Sequence, residues 1–162
     1  MKISTPCIIS ILLVALVGFV CPVRAEEYAK YCNGRFGFCV CHPSHFGIEP
    51  APVNDDGMGF YDGNGLIMTA SGINNALNDT LQSEMRSASE DFDKITYRAK
   101  DDNWFVLSGH KGAKILYLKT YVGKGSLNHL RVEYPADQKA EYDGIVARIS
   151  RCFKPGRLDA AH

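Results

Sequence analysis

The stretch from Asn103 to Pro135, NWFVLSGHKGAKILYLKTYVGKGSLNHLRVEYP, constrains the chain most. Its apolar residues recur at the period of extended backbone and are interrupted only where glycines stand, so it predicts three successive antiparallel strands. Trp104, Phe105, Val106 and Leu107 make an aromatic and β-branched run that ends at Ser108-Gly109. From Lys114 to Val122 both parities are apolar, Ile115, Tyr117 and Tyr121 on one and Leu116, Leu118 and Val122 on the other, which suits a central strand covered on both faces. After Gly123-Lys124-Gly125, Leu130, Val132 and Tyr134 alternate with His129, Arg131 and Glu133. One face of that last strand is therefore wet.

The rest of the chain is arranged around this meander. GRFGFCVCHP, Gly34 to Pro43, alternates Phe36, Phe38 and Val40 with Gly37, Cys39 and Cys41 and reads as a strand with its aromatic side toward the core. Short strands near Met58 to Tyr61 and Leu66 to Ala70 flank Asp62-Gly63-Asn64-Gly65, a strong hairpin signal. Ile73, Leu77, Leu81, Met85 and Phe92 recur at helical spacing opposite Gln82, Glu84, Arg86 and Glu90, which predicts an amphipathic helix. A strand from Lys94 to Lys100 precedes the meander, and Tyr142, Ile145, Val146, Ile149 and Phe153 form a second helical stripe that stops before Pro155-Gly156. The order strand, hairpin, helix, four strands, helix gives an α+β class: an antiparallel sheet with two amphipathic helices.

Residues 1–25 carry the marks of a leader: Lys2, the apolar run Ile8 to Val20, and an A-x-A-like Val23-Arg24-Ala25 before cleavage at Glu26. The run is too short for the ~20 residues of a membrane span. Residues 26–162 are then a single α+β domain, periplasmic or secreted, with no stable membrane insertion once the leader is removed. Cleavage takes Lys2 and Arg24 and no acid, leaving 16 basic and 18 acidic side chains. Near-neutral charge with no basic run argues against nucleic acid or an anionic membrane surface as a partner, and no nucleic acid is expected. In a eukaryotic secreted protein, Asn78-Asp79-Thr80 would accept a glycan.

Of the six cysteines, Cys32, Cys39, Cys41 and Cys152 lie outside the leader. An even count in an oxidising compartment predicts two disulfides; three connectivities are open, and Cys32 with Cys39 plus Cys41 with Cys152 is favoured because Cys152 adjoins the apolar stripe of the last helix. The alternative is a metal site of Cys32, Cys39, Cys41, His42 and His45. The Cys-x-Cys-His spacing throws successive side chains onto opposite strand faces and argues against it, so no metal and no cofactor is expected. Asn54 to Asp62 has the oxygens of a calcium loop without the completing glutamate.

Phe36-Gly37-Phe38 before a proline, the Asp-Gly turns, Asn103 to Val106 ending in Ser108-Gly109, Ile115 to Lys119, and Glu133-Tyr134-Pro135 before a terminal helix are similar to a family of uncharacterised bacterial exported proteins. The element order resembles the PsbP-like fold. These motifs are structural and carry over no catalytic residue; what the resemblance implies is a binding or assembly role.

Ser108 beside His110 gives a nucleophile near a base, the basis of a small-hydrolase alternative, though no G-x-S-x-G elbow is present. Ser108-Gly109, Tyr117 and Thr120 to Gly125 also resemble the Ser-Gly and Lys-Gly segments of periplasmic lysozyme inhibitors, with altered spacing. The expected function is a non-enzymatic module binding another envelope or secreted protein. An inhibitor or immunity protein against a cell-wall hydrolase is the alternative partner relationship. Ser108, His110, Lys111, Tyr117 and Lys124 are the candidate binding residues, with His129 beside them on the turn-bearing side of the sheet.

Overall fold

The computed structural model describes residues 26–162. The expected leader and its cleavage site lie outside them, apart from Glu26 itself. Strands β1 (Tyr28–Cys32) and β2 (Cys39–Pro43) form a separate two-stranded hairpin. The remaining strands are β3 (Gly47–Ile48), β4 (Gly57–Tyr61), β5 (Ile67–Asn74), β6 (Lys94–Lys100), β7 (Trp104–Lys111), β8 (Lys114–Val122) and β9 (Ser126–Pro135). They make one antiparallel sheet in the order β3-β4-β5-β9-β8-β7-β6. Helix α1 (Leu81–Ser89) lies on one face, and α2 (Lys139–Cys152), entered through a 3-10 turn at Ala136–Gln138, lies on the other. The class is α+β with two helices, as the sequence pattern implies.

Between β4 and β5 the turn is closed by Asp62. Its Oδ1 accepts from the backbone N–H groups of Asn64 (2.7 Å), Gly65 (3.0 Å) and Leu66 (2.9 Å), while Gly63 and Gly65 supply positive φ angles of 83° and 121°. Its other oxygen accepts from the Tyr142 hydroxyl, which joins this turn to α2.

The larger core lies under α2. Phe38, Val40, Phe60, Met68, Ala70, Leu130 and Val132 meet Tyr142, Val146, Ile149 and Phe153 there. Two disulfides brace that side: Cys32–Cys39 closes the β1–β2 hairpin with Cα atoms 4.1 Å apart, and Cys41–Cys152 ties β2 to the last turn of α2 across 5.7 Å. With all four thiols oxidised, none remains as a soft thiolate ligand. The His42 ring instead stacks on Phe60 at 4.5 Å, with Nδ1 2.9 Å from the Pro43 carbonyl.

Four expectations need correction. Gly34 to Phe38 is not strand: Gly37 sits at φ 75°, and the Asn33 side chain accepts from the Phe36 N–H, so the segment turns and only Cys39–Pro43 is extended. The first helix does not reach back to Ile73 or Leu77. Ile73 pairs with Leu127 in the sheet, Leu77 is exposed in a turn, and Asn75 fixes that turn by donating to the carbonyls of Asp79 (2.9 Å) and Gly123 (2.8 Å). The helix begins only after Thr80, whose hydroxyl accepts from the Ser83 N–H in a capping box. Ser108-Gly109-His110 is strand rather than turn; the chain reverses at Gly112, at φ 57°. Strands β1 and β3 have no counterpart in the sequence reading.

Candidate functional site

Because side chains alternate along a strand, β9 sends Leu130, Val132 and Tyr134 into the α2 core and His129, Arg131 and Glu133 to the opposite face. Its neighbours complete three cross-strand rows: Ser71–His129–Thr120, Thr69–Arg131–Leu118 and Ile67–Glu133–Leu116, each taken from β5, β9 and β8. Helix α1 covers this face only in part. Leu81, Met85 and Ala88, with Phe92 beyond its end, sit on Phe105, Leu107, Val122 and Leu127, and none of the helical side chains is fully buried.

Between the edge of α1 and the three rows lies a groove of about 520 Å3 lined by Thr69, Ser71, Leu118, Thr120, His129 and Arg131 from the sheet and by Glu84, Ser87, Ala88, Glu90 and Asp91 from the helix side. Its rim continues onto the exposed Ile67 (46%) and Ile73 (48%) of β5 and Tyr61 of β4.

The groove holds two unlike charge arrangements. At one end Arg131 is fully engaged: Nη1 donates to Asp91 at 2.6 Å and Nε to Glu133 at 2.9 Å, with Nη2 2.7 Å from the same Glu133 oxygen, Lys111 3.5 Å from Asp91 and Lys114 3.6 Å from Glu133. The Arg131 hydrogen bond holds the Asp91 carboxyl below its ordinary range; Glu133 loses solvent, yet the same guanidinium brings its carboxyl down too.

At the other end Glu84 and His129 meet without a cation. Nδ1 of His129 is 3.2 Å from the Thr120 hydroxyl and 3.9 Å from the Glu84 carboxylate, and the two side chains are only 24% and 21% exposed. Burial pushes the imidazole down to about 4, and burial with the nearby Asp79 raises the Glu84 carboxyl. Burial thus disfavours the charged form of both partners, so the contact is a poor ion pair.

The residues expected to bind are spread over the sheet. Ser108 and Tyr117 face each other across β7 and β8 on the α2 side; the Tyr117 hydroxyl is 2.6 Å from that of Ser150, and both residues border a cleft of about 290 Å3 with Thr96, Tyr97, Lys139 and Asp143. His110 is exposed near the end of β7, and Lys111 is bound to Asp91. Lys124 stands in the turn after β8, away from both clefts. His129 is mid-strand, not on a turn.

Alternation along β9 marked the wet face, so His129 and Arg131 were visible as a pair of polar side chains. Glu84, Thr69 and Ser71 were not, because their meeting depends on where α1 lands. Among the described residues no group of three or more His, Cys, Asp or Glu side chains is placed to hold a metal ion, and no helix is long and apolar enough to cross a membrane.

No protein-family model matches the chain, and no curated protein matches it by sequence. Solved structures do. The solution structure of cyanobacterial PsbP (CyanoP) from Synechocystis sp. PCC 6803 superposes with a TM-score of 0.57 at 12% identity, over 86% of this chain and 98% of that one. The Saccharomyces cerevisiae Ran-binding protein Mog1p superposes with a TM-score of 0.52 at 8% identity, over 83% of this chain and 97% of that one. At such identities the likeness is one of architecture, and the architecture of this chain is PsbP-like.

Proposed function

We propose that the chain is a non-enzymatic protein-binding module of an exported, oxidising compartment, and that it reads its partner through the groove between α1 and the β5-β9-β8 face. One observation carries this reading: the sheet face beside α1 is left open, with hydrogen-bonding groups inside the groove and exposed isoleucines on its rim. A concave mixed surface on a rigid sheet is the usual form of a recognition site. Two disulfides support the compartment, since such bonds persist in oxidising surroundings. The fold shared with a Ran-binding protein supports binding as the activity.

The hydrolase alternative draws no support from geometry. Ser108 and His110 stand two residues apart on one strand, and among the described residues neither side chain hydrogen-bonds the other.

The test is affinity capture from envelope and secreted fractions with the mature chain and two variants. Ser71→Trp fills the groove and should weaken capture of the wild-type partner by at least ~10-fold, the signature of a central contact. Ser108→Ala should capture it as the wild type does. Equal capture by both variants, or an esterase turnover that Ser108→Ala abolishes, would overturn the proposal.

A further inference from the structure

The free end of the groove is a set of acceptors. Glu84 contributes a carboxylate, and its only titratable partner within ion-pair range among the described residues is the His129 ring, whose protonated form burial disfavours. Its Nδ1 lies 3.2 Å from the Thr120 hydroxyl and 3.9 Å from the Glu84 carboxylate. Thr69 and Ser71 add hydroxyls that make no side-chain hydrogen bond among the described residues, and Leu118 and Ala88 add apolar surface.

The guanidinium of Arg131 does not spoil this balance, because the carboxylates of Asp91 and Glu133 neutralise it from two sides. The groove volume of about 520 Å3 also falls within the roughly 300–1,000 Å3 of ordinary ligand sites.

We infer that this groove seats a lysine side chain of the protein partner, its ammonium on the Glu84 carboxylate and the neighbouring hydroxyl acceptors, its methylenes along Leu118 and Ala88. The inference rests on the groove being the recognition face. Lysine fits better than arginine. Its compact ammonium donates in three directions to acceptors arriving from helix and sheet, whereas a planar guanidinium needs acceptors in one plane. A carboxyl raised by burial is also one short of a cation, and a partner's ammonium would supply it.

The test uses small probes on the 15N-labelled mature chain. N-acetyl-lysine methylamide and n-butylammonium should shift the amides of residues 69–71, 84–88, 118–120 and 129–131. N-acetyl-norleucine methylamide, with the stem and no charge, should not. Glu84→Gln should weaken the lysine response by at least ~10-fold, with the spectrum otherwise that of the folded wild type.

No response to either ammonium, an equal response to norleucine, or an undiminished response in Glu84→Gln would overturn the inference. So would cadaverine binding more than ~10-fold tighter than the lysine amide, which would assign the site to a free amine. If Ser71→Trp abolishes partner capture while no ammonium binds, the groove remains the recognition face and lysine alone is rejected.

Discussion

The two faces of the large sheet are built from the same strands, at alternate residues, and they differ in almost every respect. Under α2 the strands present Phe60, Met68, Leu130 and Val132, all fully buried, to a helix of fourteen residues that a disulfide fastens at its far end. Beside α1 the same strands present Thr69, Ser71, Thr120, His129 and Arg131 to a nine-residue helix with no fully buried side chain. Dry packing carries the fold on one side. On the other, the apolar contact stops at Phe105, Leu107, Val122 and Leu127 and leaves room for a ligand.

If stability resides on the α2 face, the disulfide should be its largest single element. Cys41–Cys152 spans a sequence separation of 111 residues. Closing a loop of that length is worth roughly 4 to 5 kcal/mol in the chain-entropy model. The double variant Cys41→Ala with Cys152→Ala should lose about that much in denaturant unfolding. Thiol labelling of the denatured, unreduced wild type should find no free thiol at Cys32, Cys39, Cys41 or Cys152. A loss below ~1 kcal/mol would show that packing alone holds α2 to the sheet.

Truncating each helix sharpens the contrast. Ile149→Ala removes a fully buried side chain of α2 and should cost about 2 to 5 kcal/mol, whereas Met85→Ala in α1, half-buried, should cost about 1 kcal/mol. Similar losses at both sites would erase the distinction between the faces.

How much of this contrast the sequence carried depended on whether the signal was local. The strand Lys94–Lys100 follows from period-two alternation and Lys114–Val122 from a run that is apolar on both parities, and both are found with those limits. The first helix was drawn too long because Ile73 and Leu77 happen to stand in helical register with Leu81. Asn74, Asn75 and Asn78 between them are turn formers, and that turn chemistry, with the pairing of Ile73 to Leu127, outweighs the periodicity. Strand β3 is two residues long and carries no pattern at all. The groove was legible only as the wet side of β9. Its other walls come from β5, β8 and α1, which lie far apart in the chain and meet only through the sheet order.

A smaller effect distinguishes the faces by pH. The folded His129 is pushed down to about 4, so protonation favours the unfolded chain. The stability this residue confers is present above its unfolded value near 6.5 and is lost as pH falls toward about 4. Glu84, which faces it, acts in the opposite sense because its raised carboxyl takes up a proton earlier in the folded chain, while Asp91 stays ionised beside Arg131. His129→Gln should therefore flatten the fall in stability between about pH 6.5 and pH 4 relative to wild type. An unchanged slope would mean that the ring is already solvated.

The division of labour between the faces is tested most directly by hydrogen-exchange footprinting of residues 26–162 bound to the captured partner. The proposed recognition face predicts added protection in β5 around residues 67–73, in α1 and the turn after it through Asp91, and in β9 around residues 129–131, with the amides of α2 unchanged. Protection confined to α2 and to the cleft beside Ser108 and Tyr117, with β5 and α1 exchanging as in the free chain, would contradict it.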